Sequence, residues 1–329
     1  MRISICGLLL ALAVACPVLG QEPTPPVVPQ EKTPVFRQNV NLVNLFVNVK
    51  DKHGALVPGL TKDHFEVFED GKPQTIKYFS AETNQPLTMG ILIDSSLSMK
   101  RMLPEEQVIA GDFVRQVLTD KDLAFVISFD ITVDLLQDLT SNVRLIRAGL
   151  EKAKVNVGAG AAGGRPGLGQ GPFPISNPKG TLLYDAIYLG SSDVLSKQVG
   201  RKAMVILTDG VDQGSRTKLR EAIEAAQKAD VICYVLLMFD PEYGSDMHDM
   251  SQVAEQTGGR AISVGKPEKL SAAFTEISNE LRSQYSIGYT PVNPKHDGTF
   301  RRIEVKSKDG HRIQARKGYY APMDEEVVR

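Results

Sequence analysis

Apolar positions follow two different periods along this chain. From Phe36 to about Gln85 they alternate with polar ones: Leu45, Val47 and Val49 form one such run, Phe65 and Val67 another. His53 and Gly54 mark a turn, Asp70 and Gly71 a hairpin, and Ile76 and Tyr78 resume the strand face. From Leu87 to about Gln284 continuous apolar runs alternate with amphipathic stretches. Strands are predicted at 87–94, 123–129, 132–136, 202–208, 231–238 and 260–264. Helices are predicted at 104–118, 142–154, 182–195, 218–229, 247–257 and 267–282. Strands apolar on both faces, separated by amphipathic helices, imply a mainly parallel sheet with both faces covered. From Tyr285 to Tyr320 the period returns to two, with Tyr285, Ile287 and Tyr289, then Ile303 and Val305, then Ile313 and Ala315. Asp297-Gly298 and Asp309-Gly310 supply hairpin turns there.

The fold class that follows is α/β: a doubly wound, mainly parallel sheet with a smaller all-β sandwich. Each β flank is small for a core of its own. Two separate appendages would each leave a wide apolar face uncovered, so the flanks are expected to pack together with the α/β domain inserted between them. The boundaries read as 36–85 and 285–321 for the sandwich, 86–284 for the α/β domain and 322–329 for a tail.

The first residues read as a leader rather than as fold. Arg2 precedes an apolar stretch from Ile3 to Ala15, too short to span a bilayer, so 1–20 is expected to be a signal peptide. Val18, Leu19 and Gly20 before Gln21 fit ordinary cleavage; Leu12 to Cys16 also fits a bacterial lipobox, with a lipid anchor on Cys16. A linker at 21–35 carries Pro23, Pro25, Pro26, Pro29 and Pro34 and is expected to be extended. The protein is therefore expected to be exported: periplasmic, in the outer envelope or secreted.

Composition changes this picture little. The 329 residues are 42% hydrophobic and 23% charged with a formal net charge of -1, which gives no field for nucleic acid or an anionic membrane. Membrane contact is expected only through an anchor at Cys16. Cys6 and Cys16 lie in the leader, so Cys233 stands alone in the mature chain and a disulfide framework is excluded. Its apolar surroundings in 231–238 make it a buried small hydrophobe.

Three segments carry candidate chemistry. Asp94, Ser96 and Ser98 fall just past the first predicted parallel strand, and Asp209 follows the run ending at Thr208. Thr181 begins a predicted helix after a long loop and can reach the same rim. Ligands of open doubly wound sheets bind at the carboxyl ends of the strands. Carboxylates with neutral hydroxyls form a hard, all-oxygen set that suits Mg²⁺ or Mn²⁺, and Ca²⁺ less well. With no His or Cys in these segments zinc is not expected. Two carboxylates leave a cation incompletely satisfied, which favours a carboxylate from another molecule.

Asp94, Ser96 and Ser98 with Thr181 and Asp209 resemble the metal-ion-dependent adhesion site of von Willebrand factor type A domains. The resemblance covers about 86–284, and all five positions match in order and context. It implies that Ser96, Ser98 and Thr181 bind metal directly, that Asp94 and Asp209 act mostly through water, and that an Asp or Glu of a protein partner completes the shell. The flanks, including 49–54, 60–74 and 316–319, resemble exported type A-related proteins abundant in acidobacteria. Function is thus expected to be metal-dependent protein binding, the rival readings being an envelope assembly protein with a stabilising metal, or a hydrolase.

Other signals are weaker. Gly158, Gly160 and Gly163 match a dinucleotide fingerprint, but the glycines and proline at 164–169 cannot continue as the helix it needs, so no nucleotide is expected. The stretch 155–180 reads as a flexible loop, either a lid beside the metal or an insertion without a partner. Phosphoryl transfer on Asp94 would need a second carboxylate where Ser96 stands. His53, His64, His248, His296 and His311 lack a nucleophile-like neighbourhood, so no enzyme is expected. Asp185 either orients the site or, more simply, complements a helix dipole. Asp130 and Asp134 are expected to face solvent, and Tyr243 to lie on an exposed loop or on the rim of the site.

Overall fold

The computed structural model describes residues 42–81, 85–155, 180–238, 246–265 and 267–323. The leader with Cys16, the proline-rich linker, most of the glycine-rich stretch, Tyr243 and the end of the tail lie outside the described residues. Four strands come first: β1 (Val43–Lys50), β2 (Phe65–Glu69), β3 (Lys72–Gln74) and β4 (Ile76–Ser80). The α/β domain follows with β5 (Leu87–Asp94), α1 (Leu103–Val117), β6 (Leu123–Phe129), β7 (Val133–Thr140), α2 (Val143–Leu150) and α3 (Leu183–Leu189). It continues with β8 (Arg201–Thr208), α4 (Leu219–Lys228), β9 (Val231–Met238), α5 (Met247–Thr257), β10 (Ala261–Val264) and α6 (Pro267–Arg282). The chain returns to β structure in β11 (Tyr285–Tyr289), β12 (Phe300–Ser307), β13 (Arg312–Gln314) and β14 (Gly318–Tyr320).

The α/β domain is built on one six-stranded sheet, ordered β10-β9-β8-β5-β6-β7. Counted within the domain this is 3-2-1-4-5-6, a doubly wound order whose reversal point lies between β5 and β8. Every pair is parallel except β6 with β7, the antiparallel edge. Every residue of β5 and β9 is buried, as strands covered on both faces must be. One face packs on α1, α2 and α6, where the rings of Phe113 and Phe274 lie 4.5 Å apart. The other packs on α3, α4 and α5 through Leu183, Ala226 and Met250. Gly90 has to be glycine: a Cβ there would lie 2.5 Å from the Phe125 ring.

Three predicted ends move by four residues or more. Helix α2 stops at Leu150 rather than at 154, and just there the Gln107 amide donates to the carbonyls of Leu150 and Ala153, both at 2.7 Å. Helix α3 gives way to a π turn at Gly190–Val194, where a Cβ on Gly190 would lie 2.9 Å from Met204 Cε. Strand β7 runs on to Thr140 as a half-exposed edge whose register shifts against β6.

The flanks form a sandwich of two four-stranded sheets, β13-β1-β11-β4 and β14-β12-β2-β3. Each sheet mixes both flanks: Leu45 opposes Ile287, and Val67 opposes Val305. Leu45, Val47, Phe65 and Ile287 fill its core. Inside it the hydroxyls of Tyr289 and Tyr319 donate to Glu69 at 2.8 and 3.0 Å, and Arg301 pairs with the same carboxylate. Lys50 of β1 and Arg260 both reach Glu280 of α6 at 2.7 Å, tying the sandwich to the α/β domain.

Candidate metal centre

Strand β5 delivers Asp94, fully buried, as its last residue. The pairing with β6 continues one residue further through Ser95 N to Phe129 O, and a 3-10 turn over Leu97–Met99 then bends the chain. That turn gathers what the Asp-x-Ser-x-Ser spacing carries. Ser96 N donates to Asp94 Oδ1 at 2.9 Å, and the hydroxyls of Ser96 and Ser98 lie 3.0 Å apart. Ser98 Oγ then donates to Asp209 Oδ2 at 2.6 Å, joining the β5 turn to the loop after β8.

Asp209 is held from its own side as well. Its Oδ1 accepts Val211 N at 3.0 Å, and its carbonyl accepts Asp246 N at 3.0 Å. Gly210 makes this approach feasible: its φ is 87°, and a Cβ there would lie 2.5 Å from Asp246 O. Four of the five sequence-predicted residues therefore share one hydrogen-bonded run. Thr181 is brought near by its backbone, which exchanges two 2.9 Å bonds with Gln213 of the Asp209 loop. Among the described residues, no hydrogen bond is seen from its hydroxyl to the other four.

Burial in this region disfavours the ionised form of the carboxyls. Burial pushes the Asp94 carboxyl up to about 7, with the charge of Asp209 adding to it. Glu106, on the buried face of α1 with Leu103 and Ala110, is raised well above the ordinary carboxylate range by burial and by the charges of Asp94 and Asp209. Both of its carboxyl oxygens are buried without a hydrogen-bond partner. An unpaired buried carboxylate is expensive unless it is neutralised. No ion pair among the described residues engages Asp94, Glu106 or Asp209. Nor do three His, Cys, Asp or Glu side chains among them converge as a metal-holding group, so a cation here must draw on hydroxyl oxygens. The hydroxyls of Ser96 and Ser98 beside Asp94 and Asp209 supply them, and this hard donor set fits Mg²⁺ or Mn²⁺.

Sequence reading missed Glu106 and Thr208. An acid in the apolar stripe of an amphipathic helix was the available signal for Glu106. Thr208 Oγ donates to Asp94 Oδ2 at 2.7 Å and accepts Gly210 N at 3.0 Å, so it couples the ends of β5 and β8. Two readings are corrected. Asp130 is buried, not solvent-facing: it holds a tight turn by accepting Thr132 N, and its carbonyl accepts Leu182 N. Asp185 does more than complement a dipole, since its two oxygens accept Arg216 N and Thr217 N from across the site at 3.1 and 2.9 Å.

No protein-family model and no curated protein matches the chain. Similar folds occur among solved structures. Proximal thread matrix protein 1 from the mussel byssus is similar over 73% of this chain and 50% of its own, at 13% identity and a TM-score of 0.48. This chain thus spans half the length of that protein. A von Willebrand factor type A structure from Catenulispora acidiphila is similar over 89% of this chain and 76% of its own, at 12% identity and a TM-score of 0.48. The conserved hypothetical protein BatB from Bacteroides thetaiotaomicron is similar over 60% of this chain and all 100% of its own, at 19% identity and a TM-score of 0.44. By its own strand order and reversed edge strand the central domain is a doubly wound α/β domain, and it is similar to von Willebrand factor type A domains.

Proposed function

We propose that the protein is an exported binding module, not an enzyme, that engages a protein partner through a divalent cation. The observation that carries this reading is the hydrogen-bonded run from Asp94 through Ser96 and Ser98 to Asp209, an all-oxygen cluster at the carboxyl ends of two neighbouring parallel strands. Ser96, Ser98 and Thr181 would hold Mg²⁺ or Mn²⁺, with Asp94 and Asp209 supporting it through water. When bound, such a cation offers an open coordination position to an Asp or Glu of the partner. Leu97 is 53% exposed between the two serines and gives that partner an apolar contact beside the charged one. Among the described residues no helix is long and apolar enough to cross a membrane.

The test is capture of partners from envelope and medium extracts by the immobilised protein, in Mg²⁺ and in EDTA, with Asp94→Ala as control. A partner held in Mg²⁺ and lost both in EDTA and with Asp94→Ala is the expected result. A partner held equally in EDTA overturns metal-bridged binding. A melting temperature that EDTA lowers while no partner is released favours a metal that only stabilises an assembly protein.

A further inference from the structure

We infer that Asp185 is a positioning residue of the metal centre, latching the Thr181 segment to the Asp209 loop. The inference rests on the metal-binding reading above and adds to it the device that fixes two of the ligand-bearing segments relative to each other.

The two segments hold one another reciprocally. The first amides of a helix lack partners within the helix. In α3 they are not met from its own N-cap, Leu182, which makes no side-chain capping bond. Tyr184 N instead donates to Asp212 Oδ1 at 3.1 Å, and Asp185 N to Ser215 Oγ at 3.1 Å. Ser215 Oγ in turn donates to Asp212 Oδ1 at 2.6 Å. The Asp209 loop therefore caps α3. In the opposite direction the amides of Arg216 and Thr217, on the way from Asp209 to α4, are met by the two oxygens of Asp185. The Thr181–Gln213 backbone pair closes the same junction nearer the site.

Among the described residues Asp185 is the one side chain of α3 seen to reach this loop's amides, and both of its oxygens are spent on it. An acid that served only the dipole of α3 would need neither contact. Bonds from amides to a carboxylate are charge-assisted and directional, so they fix register as well as adding energy. Thr181 has no side-chain bond to the other four residues, so its distance from Asp209 depends on this backbone junction.

The experiment is calorimetric titration of Mn²⁺ into wild-type protein, Asp185→Ala and Asp185→Asn, at a temperature where thermal melts show each fully folded. Positioning predicts that folded Asp185→Ala loses about tenfold or more in Mn²⁺ affinity, the usual scale for groups that orient metal ligands. Asp185→Asn, which keeps one acceptor oxygen, falls between it and wild type, and serves alone if the alanine variant does not fold. A variant that melts lower but binds Mn²⁺ with wild-type affinity overturns the latch and leaves Asp185 a residue of the fold. Wild-type protein that binds no Mn²⁺ overturns the metal reading itself, and the latch with it.

Discussion

Asp94 should make the metal-free protein progressively less stable as pH rises from about 4 towards 7. Its carboxyl ionises near 3.8 in an unfolded chain and is pushed up to about 7 by burial and by Asp209 in the fold. Below the lower value both states keep the proton. Between the two values the unfolded chain has released a proton that the folded chain retains, so folding is disfavoured progressively with rising pH. At 1.36 kcal/mol per pH unit the full penalty is about 4 kcal/mol, of which about 2 kcal/mol falls between pH 5 and pH 7. Glu106 is raised by the same causes, so its contribution carries the same sign. The assay is urea unfolding in EDTA at several pH values, for wild type and for Asp94→Asn. Wild type should lose stability from pH 5 to pH 7, and Asp94→Asn should lose clearly less. In excess Mg²⁺ the wild-type decline should shrink, because a bound cation favours the ionised carboxyl. A wild-type profile that is flat or rises with pH in EDTA, or an unchanged slope in Asp94→Asn, refutes the reasoning.

Two further outcomes follow from local geometry. Glu106→Leu should stabilise the EDTA-treated protein at neutral pH by roughly 1–3 kcal/mol in urea unfolding, since it removes a buried acid with no partner; a loss of stability would show that the carboxyl is paired in solution. Gly210 and Gly54 share a φ of 87°, but only at Gly210 would a Cβ meet a neighbour, Asp246 O at 2.5 Å. Gly54→Ala should therefore cost about 1 kcal/mol from backbone preference alone, and Gly210→Ala distinctly more. Equal losses in melting experiments would show that the crowding at Gly210 is relieved without strain.

Much of the fold was legible because its central strands are uninterrupted apolar runs. The predicted 87–94, 123–129 and 231–238 coincide with β5, β6 and β9, and helix 247–257 coincides with α5. That helix is bracketed by local signals, Asp246 as N-cap and Gly258 in the left-handed conformation. The ends of α2 and α3 were not legible: a glutamine from α1 takes the carbonyls at the end of α2, and α3 runs on as a π turn. Neither feature leaves a trace in the periodicity of its segment.

The candidate centre divides along the same line. Asp94, Ser96 and Ser98 stand out because one turn carries all three, so their spacing is itself the geometry. Thr208 reads as the last residue of a buried strand until its hydroxyl is seen on Asp94, a residue far away in sequence. Asp185 reads as an ordinary acid in a first turn until its oxygens are seen on Arg216 and Thr217. A ligand pattern therefore reports which atoms are offered to a cation, while the groups that hold those atoms in place are set by tertiary contacts. If the latch is as inferred, a chain that kept all five ligand positions but lost Asp185 would still read as a metal centre and would bind metal poorly. Motif identity and site competence would then be separate properties, and substitution at Asp185 would separate them without touching a proposed ligand.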